Sequence, residues 1–232
     1  MIRFLTFLLL IGFLVNCSGS KQPYETQISK FENKAIEKYQ LGKFEEALFL
    51  CDKAIIEDSM NINLLTIEAL CLEELYCEKM ALEVWNRILD IDSTNVFSLY
   101  SLAFYYINIT DFKRAEIFIN KAIMYYNDTY QYSISINNMD KFGFHNLFFN
   151  NITNAELVFL RGIVNYEFEK FREAFVDFKY CIENNYNVGA SHHWLAYIYY
   201  CFNDIDKACL ELEYAMKNGF SEAKELKDSI CK

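Results

Sequence analysis

One proline, Pro23, stands in the whole chain, and glycine is nearly as scarce, at seven of 232 residues. An all-β chain of this length needs far more turn punctuation, so the shortage excludes sandwiches and barrels and favours helices joined by tight turns. Positive charge is also short: 22 Lys and Arg face 32 Asp and Glu, a formal net charge of -10. Nucleic-acid affinity comes from cations neutralising phosphates, so no nucleic-acid partner is expected. No phosphate-cradling glycine loop, nucleophile elbow or paired-His zinc helix occurs. The chain therefore reads as non-enzymatic, without cofactor or metal. What is abundant is apolar material, 53% of residues with 17% aromatic, which is ample for a core.

The first residues have a pattern of their own. Arg3 precedes an apolar run from Phe4 to Val15 that only Thr6 and Gly12 interrupt, and the run falls short of the roughly 20 residues that span a bilayer. Residues 1–16 read as a signal peptide. Leu14-Val15-Asn16-Cys17 resembles the lipobox of bacterial lipoproteins, although Asn16 replaces the small residue preferred there. That resemblance implies acylation (palmitate) of Cys17 and a place in the bacterial cell envelope. The membrane would be the outer one, on its periplasmic or surface face, with no transmembrane helix in the mature chain. Residues 17–27 are polar and read as a tether. The alternative is an ordinary secretory signal with an incidental Cys, for which a small-x-small cleavage site is hard to place.

Beyond the tether the chain repeats. Gly42 to Ala47, Asp111 to Ala115, Lys170 to Ala174 and Asp204 to Ala208 align on their last Ala, with a weaker segment ending at Ala81. Ala47, Ala81 and Ala115 stand 34 residues apart, Ala174 follows 59 on, and Ala208 another 34. A small residue lies twelve positions before each (Ala35, Ala69, Ala103, Gly162, Ala196). Another lies seven after in four units (Ala54, Ala122, Cys181, Ala215), with Ile88 in the second. Small residues recur where two helices approach closely, and rings such as Phe44, Trp85, Phe112, Phe171 and Phe178 fill the gaps between them.

A period of 34 with these positions resembles the tetratricopeptide repeat. The resemblance implies an all-α, right-handed α-solenoid of about five helix-turn-helix units. Units 1 to 3 would occupy residues 28–129, an insert residues 130–154, units 4 and 5 residues 155–222, and a capping helix residues 223–232. Ser59 and Ser93 stand where that family usually has a Pro, and Ser221 offers an N-cap for the last helix. The insert is rich in Phe and reads as a plug between units 3 and 4, or else as a lid or partner contact.

In tetratricopeptide proteins the first helix of each unit lines a concave groove. Matched residue by residue, the resemblance places there Glu32, Ile36 and Tyr39; Leu70, Glu73 and Glu74; and Phe97, Tyr100, Phe104 and Ile107. Units 4 and 5 add Glu156, Phe159, Ile163, Tyr166 and Glu167, then His193, Tyr197 and Tyr200. Such a groove is aromatic and acidic, and it lacks the Lys and Arg of a carboxylate clamp. The rings either contact a ligand or merely pad a narrow superhelix. The implied function is a protein-interaction scaffold or assembly accessory for an apolar, basic protein or peptide. The alternative is a glycan- or nutrient-binding envelope lipoprotein using the same rings.

Two further features carry little chemistry. Adjacent His192 and His193 diverge on a helix and cannot share a metal unaided. Eight cysteines less Cys17 leave seven, so complete pairing within the chain is impossible, and a set of mostly free thiols implies a weakly oxidising envelope.

Overall fold

The computed structural model describes residues 27–127 and 152–231, and every regular element in them is a helix. The signal region with Cys17, and all of the 130–154 insert but its last three residues, lie outside the described residues. Helices α1 (Gln27–Gln40) and α2 (Phe44–Ile55) form the first antiparallel hairpin, followed by α3 (Ile62–Glu74) and α4 (Glu78–Ile91), then α5 (Val96–Asn108) and α6 (Phe112–Tyr125). Beyond the insert come α7 (Asn154–Glu167) and α8 (Phe171–Glu183), α9 (Val188–Cys201) and α10 (Ile205–Lys217), and finally α11 (Ala223–Ile230). Each helix packs on the one before it and the one after it, α6 on α7 included, so the array continues across residues 128–151. The described chain is an all-α solenoid.

The repeated small residues sit where the sequence pattern requires them. Ala35, Ala69, Ala103 and Ala196 are fully buried, as are Ala47, Ala115, Ala174 and Ala208 on the facing helices. Gly162 goes furthest, since a Cβ there would lie 2.8 Å from the Phe178 ring. Where the family's Pro is missing, asparagine starts the next helix: Asn61 accepts from the Leu64 amide at 3.1 Å and Asn95 from the Ser98 amide at 2.9 Å. Thr153 and Glu156 form a reciprocal capping box at the start of α7. Ser221 does not cap α11; the turn runs one residue further, and the Ser221 hydroxyl donates to Glu222 instead.

The turn inside every hairpin repeats as strictly as the alanines. Gly42, Tyr76, Thr110, Glu169 and Asn203, spaced like those alanines, all take positive φ near 60° (57° to 68°). Left-handed backbone costs an ordinary L-residue roughly 1 kcal/mol, and a β-branched one more. Thr110, at φ 58°, is the β-branched member of the set. Thr110→Asn is expected to raise stability by about 0.5 to 1 kcal/mol, read as a shift in denaturant midpoint at unchanged slope. No shift would mean that the hairpin turn tolerates Thr without strain.

At the C-terminal end, α11 lays Ala223, Leu226 and Ile230 against α10, and a disulfide joins Cys209 of α10 to Cys231. One pair of the seven thiols beyond Cys17 is thus joined, a bond the sequence left open. Among the described residues Cys51, Cys71, Cys77, Cys181 and Cys201 are free, three of them fully buried as ordinary core residues.

Candidate functional site: the concave groove

First helices touch across units (α1 with α3, α5 with α7, α7 with α9), whereas no second helix packs substantially on another. The closer layer lies inside the curve, so α1, α3, α5, α7 and α9 form the concave wall.

Near the N-terminal end, carboxylates and rings are held by specific bonds. Asn63 Nδ2 donates to Glu32 Oε1 at 3.0 Å, and the Tyr39 hydroxyl to Glu74 Oε1 at 3.5 Å. Buried Trp85 reaches from α4 to donate its indole N–H to Glu73 Oε1 at 2.7 Å. Glu73 keeps an exposed edge, yet crowding by the wall raises its pKa against the lowering effect of that indole. Burial also pushes the Tyr39 phenol up, helped by the charge of Glu74.

In the middle of the groove Tyr100 and Phe104 stack in parallel, centroids 6.4 Å apart, and Phe97 packs on Trp85 at 5.5 Å. Phe104 is 47% exposed. The Tyr100 phenol is pushed up to about 12, by burial first and then by Glu156 and Glu73, so carboxylates of α3 and α7 bracket this ring pair. Glu167 is exposed at the end of α7.

At the C-terminal end Tyr166 packs on Trp194 at 5.0 Å and on Tyr197 at 6.2 Å, with its hydroxyl 3.7 Å from Cys201 Sγ. Tyr200 is 46% exposed. His193 lies 4.8 Å from both Tyr197 and Phe220, and burial lowers its pKa. His192 turns the other way, to Glu211 Oε2 at 2.5 Å and the Tyr214 ring, so the two imidazoles do not converge. Among the described residues no group of three or more His, Cys, Asp or Glu could hold a metal ion.

Two of the residues assigned to the groove are buried instead. Ile36 is only 2% exposed, packed with Ala47, Cys51 and Leu64. Phe159, at 8%, is covered because Tyr186, from the turn after α8, lies edge-on to it at 5.8 Å and Phe178 backs it at the same distance. Tyr186 and Trp194 pack on matched positions, on Phe159 and Tyr166 respectively, and sequence matching missed both. Tyr186 sits in a turn between units, and Trp194 is adjacent to a matched position without occupying one.

No protein-family model and no curated protein sequence matches the chain. Solved structures do match in fold. YrrB, described as a TPR protein with an unusual peptide-binding site, superposes with a TM-score of 0.64 at 17% identity, over 85% of this chain and 90% of that one. MamA of Desulfovibrio magneticus RS-1 gives 0.62 at 14% identity over 88% and 97%. PilW, a type IV pilus biogenesis factor, gives 0.61 at 14% identity over 86% and 79%. At such identities the likeness establishes the fold alone: this chain has the α-solenoid fold seen in tetratricopeptide-repeat proteins.

Proposed function

We propose that this tetratricopeptide solenoid is a non-catalytic scaffold or assembly accessory, lipid-anchored at Cys17 in the bacterial outer membrane, whose groove binds a basic and apolar protein segment. The observation that carries the reading is the distribution of charge. Helices α3, α5 and α9 contain no Lys or Arg, and the single Arg of α7, Arg161, is engaged with Asp177 of α8 at 2.6 Å. In this reading the carboxylates of Glu32, Glu73, Glu74, Glu156 and Glu167 lie along the concave side, where α3, α5 and α9 bring no cation; the lysines of that wall are Lys30, Lys34 and Lys38 of α1, and Lys38 pairs with Glu46 of α2 at 2.7 Å. Between them, Tyr100 and Phe104 supply the kind of ring that anchors interfaces.

The neighbours support the reading, one described by its peptide-binding site and one as a pilus biogenesis factor. No helix among the described residues is long and apolar enough to cross a membrane, which leaves the acyl chain on Cys17 as the anchor in this reading. Cys17→Ser should release the exported protein from membranes in a soluble form.

The test of the groove is binding of a synthetic peptide of alternating Lys and Leu to the full chain. Phe104→Ala should weaken it by about 2 kcal/mol, roughly thirtyfold, with little loss of stability. Added salt should weaken it further, because the carboxylates act through a screened field. Unchanged affinity in Phe104→Ala, or preference for a neutral glycan over the peptide, would overturn the reading.

A further inference from the structure

Beyond the carboxylate strip, the groove ends in a hollow of about 490 Å³ between α7, the first turns of α9 and the turn joining α10 to α11. Rings of Phe159, Trp194 and Phe220 line it, together with Asn187, Ala190 and Asn218, and no charged side chain does. Its walls are fixed from behind. Trp194 lies flat on the buried Phe178 ring, at 5.7 Å and 4° between planes. Gly189 presses against the opposite wall so closely that a Cβ would come within 2.9 Å of the Asn218 carbonyl oxygen and of Phe220 Cβ. The volume falls within the range of small-molecule and side-chain pockets, and the shape exists before any ligand arrives.

Polar groups at the hollow are not spent on the fold. Among the described residues no hydrogen bond is seen from the Trp194 indole N–H, and Asn187 starts α9 at φ 42° without its side chain capping it. Asn218 spends its NH2 on the Tyr214 carbonyl at 2.8 Å and keeps its Oδ1 free. A charged occupant would find no counter-charge here, and a purely aliphatic one would leave these groups dry and unpaired. A ring carrying a hydroxyl satisfies both conditions, stacking on the aromatic walls and exchanging hydrogen bonds at the rim.

A chain of rings leads from the hollow toward the strip. Phe159 forms its wall on one side and meets Tyr186 on the other, and the Tyr186 phenol is pushed up by burial and by the nearby Tyr100 and Glu156. We propose that the hollow is an anchor site for a tyrosine side chain, carried by the same cationic segment whose basic residues lie along the carboxylate strip. The proposal rests on the peptide-binding reading for its second half alone, since the hollow can be probed with a free ring.

Trp85 and Trp194 are the two tryptophans of the chain, so two indole N–H signals report on the whole protein in a nitrogen–proton correlation spectrum. Titration with N-acetyl-tyrosine amide is expected to shift the Trp194 signal saturably and leave that of Trp85, bonded to Glu73, in place. Ala190→Leu, which fills the hollow, should weaken the effect at least about tenfold, and Asn187→Gly, which keeps the left-handed turn, should erase preference for the tyrosine over the phenylalanine amide. A Trp194 signal that stays put, or one that moves with maltose and not with the tyrosine amide, overturns the anchor site. In a second arm, a Lys-rich peptide bearing one Tyr should bind about tenfold tighter than its Ala counterpart. Should the free amide seat while no basic peptide binds, the strip reading fails and the hollow stands; the reverse result removes the hollow alone.

Discussion

Phe178→Ala is expected to destabilise the fold by about 3 to 5 kcal/mol, the cost of emptying a fully buried ring site that cannot collapse. The ring sits at the junction of the fourth and fifth hairpins, flat against Trp194 and edge-on to Phe159. Collapse is blocked on the remaining side by Gly162, which has no side chain to move into the void. A double-mutant cycle separates packing from propensity. Gly162→Ala alone should destabilise by about 1 to 3 kcal/mol, because its Cβ meets the ring. In the Phe178→Ala background the same change should become neutral or stabilising, since Ala favours a helix by about 1 kcal/mol over Gly. Urea melts of the four proteins would measure the coupling, and additive effects would mean that the ring and the glycine do not compete for one space.

That pair also shows what a sequence of this kind makes legible. Gly162 replaces an alanine at a fixed point of the period, so the close approach was readable, and the buried state of Phe178 followed from its place among the filler rings. What depended on stacking between units was not readable. Phe159 occupies a position that would face the groove, but Tyr186, at the period position held by Ser59 and Ser93 in the first two units, folds over it with a ring those serines lack. Trp194 needs the fourth hairpin beside it before it becomes a wall of anything. The left-handed turn residues were half legible: Gly42 and Asn203 are suited to positive φ, whereas Tyr76, Thr110 and Glu169 adopt it because the hairpin packing overrules local preference.

The acidic residues of the proposed strip are a different case. Charged residues appear in sequence without needing a partner, and the absence of Lys and Arg from α3, α5 and α9 can be counted as soon as the first helices are located. What the geometry adds is restraint. Asn63, Tyr39 and Trp85 hold Glu32, Glu74 and Glu73 through hydrogen bonds, which fixes where a cation would be met and lowers the ordering cost of meeting it.

Opening the Cys209–Cys231 bond, by reduction or by Cys231→Ser, is expected to cost about 3 kcal/mol at the C-terminal end, from the conformational freedom released over its separation of 22 residues. Helix α11 has little else to hold it. It is eight residues long, too short to persist alone, and Ala223 is its one fully buried side chain. In a solenoid each unit is supported by its neighbours, so the loss should stay local. Amide exchange should accelerate through α11 and the end of α10, while protection in α1 to α6 stays as it was. The turn of Asn218, Gly219 and Phe220 connects these two helices and forms one wall of the hollow, so the tyrosine amide should bind the reduced protein more weakly than the oxidised one. Unchanged α11 protection after reduction would show that Leu226 and Ile230 suffice to seat the cap, and that the disulfide guards the chain end without shaping the hollow.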